Sequence, residues 1–430
     1  MLIGIDASRA FVDKPTGTEN YSYNLIKALA LIDRKNQYRL YVRDTRYKSL
    51  SRDEGLLSRV AQAKGRQETR NWPKNFKFVK ISWPRFWTQG GLAAECFLRP
   101  PDGLFIPAHT LPIIRRPHLK TVVTIHDLGA EFLPEYHKFW QKFYLTFSTK
   151  YAVKDATAVI AVSEATKKDL IEKYGADPAK IFVVYEGVDK EKFRIKNAGF
   201  GIKKILQKYK ISKPYILFVG TIQPRKNLVR LIEAFSLIVK GLTTNDQRQT
   251  TNDQGQTTNA ENQALDFSRS TLDKTTDFSP SALSLVITGK FGWLYGEILS
   301  APAKFGVNQQ VKFLDYVSDD DLPAIYSQAE VFVMPSLVEG LGLPVLEAMA
   351  ARVPVVCSAK SSLPEVAGNA ALYFNPESVE DISTKIFQIL VNSNLKKQLI
   401  GQGEKQVEKF SWEATAAETL GIFEKIYQSS

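Results

Sequence analysis

Short runs of β-branched and aromatic residues alternate along the chain with stretches whose apolar positions recur every three or four residues. That alternation is the signature of strand–helix units on a parallel sheet. One set of runs covers residues 2–6, 38–43, 76–81, 103–107, 121–126, 158–163 and 181–185. A second covers 215–220, 283–289, 311–316, 331–335, 354–358 and 371–374. Between them, residues 188–212 are Lys-rich and carry no strong strand signal, so a linker is expected there. The pattern predicts an α/β protein with one domain over 1–190 and another over 191–409. Residues 410–430 open on a capping signal at Ser411 and continue as an amphipathic helix. In open parallel sheets ligands gather at the strand carboxyl ends, so two such sheets predict a site in a cleft between the domains.

Residues 242–282 break the pattern with three successive polar heptads, TTNDQRQ, TTNDQGQ and TTNAENQ. They offer no apolar positions for a coiled-coil seam and cannot bury enough surface to offset the entropy of ordering. A disordered, dispensable surface insertion is expected. Elsewhere the 430 residues, 44% hydrophobic and 24% charged, have ordinary globular composition. No run approaches the ~20 apolar residues of a membrane span, and Asp6 falls where a signal peptide would be apolar. A cytoplasmic protein is expected. The two cysteines, Cys96 and Cys357, give neither a disulfide framework nor zinc-ligand spacing, and are expected in the core.

Charge is unevenly placed. Residues 1–200 carry 34 Lys and Arg against 21 Asp and Glu, and twelve of those bases lie between Arg43 and Arg85. A solvated face is one reading. An anionic partner is the other, either a phosphorylated acceptor or the inner face of the plasma membrane, to which the protein would attach peripherally. Nucleic acid is not expected, because no recognised nucleic-acid motif accompanies the charge.

The most informative stretch is PSLVEGLGLPVLEAMA, residues 335–350. A strand ends, a glycine turn carries Glu339, Gly340, Leu341 and Gly342, and Pro344 opens a helix containing Glu347. Backbone N–H groups at the turn and the helix dipole favour an anion, while the two acids can accept hydrogen bonds from a sugar and a ribose. Either glutamate alone would read as a helix cap; the joint pattern points to a site. FVGTIQPRKN, residues 218–227, ends another strand and offers Arg225 as a guanidinium fork and Lys226 as a point charge for a diphosphate. In the first half, Gly17 follows Thr16 at a turn opening a helix, and Thr124-Ile-His126-Asp127 ends a strand. Ser163 reads as an N-cap and Glu186–Asp189 as a structural turn, while His109, at another strand end, reads first as a structural residue and only second as one facing an acceptor.

Together these strings resemble the donor-site signature of retaining GT-B glycosyltransferases of the family 4, group 1 type, over nearly the whole chain outside the insertion. The resemblance implies two facing Rossmann-like domains, with the C-terminal helix crossing back to the first. It implies Arg225 and Lys226 on the pyrophosphate, the backbone around Tyr316 and Val317 on the base, and Gly17 near the donor phosphate or acceptor. Glu339 and His126 would lie at the sugar and Glu347 at the ribose, with the N–H groups of Gly340, Leu341 and Gly342 on the phosphate. Glu339, His126 and Lys226 are then the candidate catalytic residues. The partners implied are a nucleotide sugar of GDP-mannose or UDP-glucose type and a saccharide or lipid-linked acceptor. Many members have an arginine after the glycine at position 220; here it is Thr221, and the string is more like bacterial mannosyltransferase members. The Asp319–Asp321 run reads as a helix start, and neither a metal nor a cofactor is expected. Rival readings are a nucleotide-sugar epimerase or hydrolase, and a non-catalytic carbohydrate- or membrane-binding protein.

Overall fold

The computed structural model describes residues 1–12, 17–43, 72–83, 85–128, 139–195, 200–241 and 282–428. The insertion up to residue 281 and the basic positions from Arg46 to Arg70 lie outside the described residues. The chain divides into two compact units: Met1–Asp189 with Val338–Leu343 and Glu408–Ser430, and Lys190–Leu337 with Pro344–Val407.

The first unit is built on a seven-stranded parallel sheet of β1 (Leu2–Asp6), β2 (Gln37–Arg43), β3 (Phe76–Ile81), β4 (Gly103–Ile106), β5 (Lys120–Ile125), β6 (Ala158–Ala161) and β7 (Ile181–Val183). Their order is β3-β2-β1-β4-β5-β6-β7. Strands β4 and β6 are buried at every position, as expected where helices cover both faces of a parallel sheet. Helices α1 (Gly17–Ile32), α2 (Ala93–Leu98), α3 (Phe139–Asp155) and α4 (Glu164–Tyr174) accompany them. Helix α1 buries Tyr21, Leu25, Ile26 and Leu29, one stripe at helical spacing.

The C-terminal helix, Trp412–Gln428, packs on α1 within this unit, burying Trp412, Ala416, Ile422, Phe423 and Ile426. Gly103 makes room for it, since a Cβ there would lie 2.8 Å from the Phe423 ring. Thr415 donates its hydroxyl hydrogen to the Tyr185 carbonyl at 2.7 Å, tying the start of the helix to the chain just after β7.

The second unit carries six parallel strands, β8 (Tyr215–Val219), β9 (Ser284–Thr288), β10 (Val311–Leu314), β11 (Val331–Met334), β12 (Val355–Ser358) and β13 (Ala371–Phe374), in the order β10-β9-β8-β11-β12-β13. Helices α5 (Phe200–Lys208), α6 (Leu228–Val239), α7 (Leu322–Ser327) and α8 (Leu343–Ala350) carry or support the candidate residues of this unit.

The segment expected as a linker is more structured than its lysines suggest. Lys190–Phe193 forms one helical turn and α5 follows. Phe193 is buried edge-on against Tyr326 at 5.4 Å, and Ile202 and Leu206, four residues apart, are buried as well. The lysines among them occupy the opposite, solvated face, so charge masks a short amphipathic helix. Some strand ends differ by one or two residues for a related reason. The apolar runs continue past the last ladder bond into buried turn residues such as His126 and Ser163.

Candidate functional site

Both sheets reverse their strand order once, between β1 and β4 in the first and between β8 and β11 in the second. At such a switch point the connections leave in opposite directions and open a crevice at the carboxyl ends of the strands. The candidate residues fall at these ends.

In the second unit, β8 runs into Gly220, whose φ of +156° and close approach to β9 suit glycine. A Cβ on the neighbouring Gly289, at φ +144°, would lie 2.0 Å from the Gly220 carbonyl oxygen, so the two ends cross without room for a side chain. The turn Pro224–Lys226 follows, with Arg225 half-buried and Lys226 buried. Asn227 then takes the left-handed conformation at φ +57° and starts α6. Its side-chain amide donates to the carbonyls of Pro335, at 3.1 Å, and Pro376, at 2.7 Å. The Leu337 N–H donates to the Arg225 carbonyl at 2.9 Å. The cationic turn after β8 is thereby bolted to the segment leaving β11, across the switch point. Sequence alone assigns Asn227 no role; a positive-φ residue bridging two carbonyls is visible only once the strands are placed.

Tyr316 and Val317 follow β10, with Tyr316 half-buried and Val317 buried. The Lys290 ammonium lies 5.2 Å from the Tyr316 ring centroid. Burial, reinforced by Asp319 and Asp320, pushes the Tyr316 phenol up to about 12. The acidic run does precede a helix, α7. Asp321, though, accepts from Lys208 at 2.6 Å and from the Tyr209 hydroxyl at 2.8 Å, which hold its carboxyl below the usual range despite burial. Among the described residues no group of three or more His, Cys, Asp or Glu could hold a metal ion.

Glu347, on α8, accepts from the Tyr326 hydroxyl at 2.9 Å. Burial raises its pKa, opposed by the charge of Lys192 and by that hydrogen bond, with Asp319 adding to the rise. Lys192 also pairs with Asp319 at 3.8 Å. No sequence motif signals that Tyr326 and Lys192 converge on Glu347.

In the first unit, Gly17 is the first residue of α1; Thr16 lies outside the described residues. Gly17 is exposed, and a Cβ there would meet nothing within 4 Å, so the fold itself does not require a glycine. His126 follows β5 and is buried with both ring nitrogens engaged. Nδ1 lies 2.9 Å from Glu186 Oε1, and Nε2 lies 2.9 Å from the Pro107 carbonyl. The Pro107 carbonyl can only accept, so Nε2 donates to it, and in its protonated form the ring donates to Glu186 as well. Burial works against that charge, but the bond to Glu186, its negative charge, the Pro107 carbonyl and Asp127 outweigh it and raise the His126 pKa. Both ring nitrogens of His126 are thus already engaged by this chain.

The Tyr21 ring stands edge-on to His126 at 4.6 Å, and its hydroxyl is 3.1 Å from Thr124 Oγ1. The His109 ring is 5.8 Å from that of His126; burial, then the His126 charge, pushes it down to about 4.

The Val338–Leu343 loop packs with this unit. Glu339 and Leu341 are buried in it, and Gly342 takes φ +99°. Gly340 presses on the chain at His126 so closely that a Cβ would lie 1.9 Å from the His126 carbonyl oxygen. Ser163 caps α4 by accepting from the Thr166 N–H at 3.0 Å, and its hydroxyl donates to the Gly340 carbonyl at 2.6 Å. The expected cap is thus also an anchor for the Glu339 loop. Glu186, expected as part of a structural turn, is the counter-ion of His126.

A family model described as "Glycosyltransferase Family 4" matches residues 15–192, and one described as "Glycosyl transferases group 1" matches residues 273–406. The chain is 26% identical over 412 residues to O-antigen chain mannosyltransferase B of Escherichia coli, covering 95% of this chain and 96% of that one. It is 28% identical over 329 residues to the serotype-specific mannosyltransferase WbdA of Escherichia coli; the match covers 76% of this chain and only 35% of that longer protein. Among solved structures, sucrose-phosphate synthase from Thermosynechococcus elongatus superposes with a TM-score of 0.71 at 16% identity, covering 100% of both chains. Anabaena Alr3699/HepE, solved in complex with UDP-glucose, gives 0.66 at 15% identity, covering 98% of this chain and 99% of that one.

Proposed function

The chain belongs to the family 4, group 1 glycosyltransferases, and from that premise we propose that it transfers a hexose from a nucleotide diphosphate sugar to an acceptor hydroxyl, with retention at the anomeric carbon. GDP-mannose is the proposed donor, supported by the mannosyltransferase names of its relatives, with UDP-glucose the alternative suggested by the HepE complex. The acceptor is a saccharide or lipid-linked saccharide in polysaccharide, lipopolysaccharide or glycolipid synthesis.

One observation carries the reading: Arg225 and Lys226 sit at the β8/β11 switch point on a turn locked by Asn227 and by the Leu337 N–H. As the glycosidic C–O bond breaks, negative charge grows on the departing diphosphate. Cations fixed beforehand stabilise that charge with no reorganisation during the reaction. Glu339 is assigned to the sugar hydroxyls and Glu347 to the ribose. The N–H groups of Gly340, Leu341 and Gly342 are assigned to phosphate oxygens, and the backbone at Tyr316 and Val317 to the base. Gly17 is assigned to close approach of a donor phosphate, since its own fold does not require a glycine. His126, held by Glu186, supports the Gly340 turn with its carbonyl and places a positive charge beside it. The departing phosphate accepts the acceptor's proton on the same face, which gives retention.

The test is donor turnover by purified Lys226→Ala and Glu339→Ala. Lys226→Ala is expected to lose about 100- to 1000-fold in kcat, the usual cost of one preorganised charge-stabilising contact, and Glu339→Ala to lose turnover through its hold on the sugar, each compared with wild type at equal folded fraction. Unchanged turnover in both variants overturns the assignment. Because the diphosphate charge is assigned to side chains, EDTA is expected to leave turnover unchanged, and loss restored by added divalent ion would reassign that role.

A further inference from the structure

The first unit presents a surface that the transfer chemistry does not use. Leu98, at the end of α2, is 72% exposed and Ile114 is 64% exposed; Phe97, Ile113 and Phe147 are also exposed. They form one connected patch. Arg116 donates from Nε to the Phe97 carbonyl at 2.8 Å, with its guanidinium 5.7 Å from the Phe97 ring centroid. The Tyr151 hydroxyl donates to the Ile113 carbonyl at 3.3 Å, and the Phe147 ring stacks on Tyr151 with centroids 6.4 Å apart. Arg115 lies over the other end of the cluster, 5.7 Å from the Tyr151 ring centroid, donating to the carbonyls of Pro112 and Asp155 at 3.0 Å each.

Large aliphatic and aromatic tips leave water exposed to apolar surface, and a contiguous group of them marks an interaction site. Here the tips are interleaved with guanidinium groups that their own chain already holds in place. Such forks suit phosphate oxygens, and an apolar tip beside a fixed cation suits the boundary between headgroups and acyl chains. Of the charged residues from 93 to 116, Arg99, Arg115 and Arg116 are basic and Glu95 and Asp102 acidic; Glu95 pairs with Arg99 at 3.7 Å, which leaves Arg115 and Arg116 as the cations beside the exposed tips. No helix among the described residues is long and apolar enough to cross a membrane, so the attachment in question is interfacial. We infer that the Phe97–Leu98 and Ile113–Arg116 segments, with Phe147, dock this protein on an anionic lipid bilayer, the aliphatic tips entering the headgroup boundary and the arginines binding lipid phosphates. This moves the lipid contact expected from residues 43–85 onto a defined surface, and it holds whichever sugar or donor the enzyme uses.

The experiment is flotation of the full chain with phosphatidylcholine vesicles, with and without phosphatidylglycerol, at low and high salt. Wild type is expected on the anionic vesicles at low salt, released by high salt, and absent from the neutral ones. Ile113→Asp combined with Ile114→Asp, and separately Leu98→Asp, are expected to lower recruitment about tenfold or more. Leu98 packs on little, so its variant keeps the wild-type melting temperature and tests the surface without testing the fold. Arg116→Gln is expected to lower recruitment several-fold. Equal recruitment to neutral and anionic vesicles, wild-type recruitment of the aspartate variants, or self-association abolished by Leu98→Asp without any vesicle binding would each overturn the inference. The last would assign the patch to a second copy of the chain.

Discussion

Among single side chains, the His126–Glu186 pair and its neighbour His109 set a pH dependence whose sign can be worked out. His126 has a folded pKa above its ordinary value, so its contribution to stability is complete below about 6.5 and is lost as pH rises through the raised value. His109 is displaced the other way, to about 4, so the unfolded chain takes up its proton first and stability falls as pH drops from about 6.5 toward 4. Together the two histidines favour a stability maximum near pH 6.5. Melting temperatures measured from pH 5 to 8.5 should show, in Glu186→Gln, loss of the decline on the alkaline side. His109→Gln should flatten the acid side, and unchanged profiles in both would contradict the pairing. Asn227 gives a second prediction. Asn227→Ala leaves the buried Pro335 and Pro376 carbonyls without their donor and places alanine at φ +57°, for a cost of about 2–4 kcal/mol by urea denaturation. Asn227→Gly, which keeps the backbone conformation, should cost less. The candidate residues are legible in the sequence because most stand just past a strand end, with Glu339 in a glycine-bearing turn and Glu347 in the helix that follows it. Glu186 is not, because its partner is sixty positions away and only the fold brings them together.

Among the strands and helices, the strands are legible because buried parallel strands are short, nearly continuous apolar runs bounded by polar turns. Their order is not, since hydrophobic pattern carries no neighbour information. Helix α5 escapes a sequence reading because Lys203, Lys204 and Lys208 stand among its apolar residues and mask a short amphipathic stripe. The C-terminal helix is readable from its amphipathic stripe, and its packing on α1 makes a direct prediction. Phe423→Ala removes a ring seated over Gly103 and 6.2 Å from the Phe105 centroid, and should cost about 3–5 kcal/mol, read as a lower urea midpoint. Gly103→Val should be comparably destabilising, because its first side-chain carbon already falls inside the Phe423 ring contact. If either variant unfolds like wild type, the helix does not hold this unit together.

For the protein in its entirety, composition and motifs together bound the class of chemistry, while the donor's base and sugar are not legible. The groups assigned to the sugar, Glu339 and the turn glycines, are the same for many hexoses, and the base is assigned to backbone around Tyr316 and Val317, which side-chain patterns do not report. The decisive assay incubates purified protein with isotope-labelled GDP-mannose and an oligosaccharide acceptor, the product being analysed by mass and by anomeric configuration. The expected result is an acceptor heavier by one hexose, linked with the anomeric configuration it had in the donor. An epimerised donor or free sugar alone across a panel of nucleotide sugars, or an inverted linkage, would contradict it.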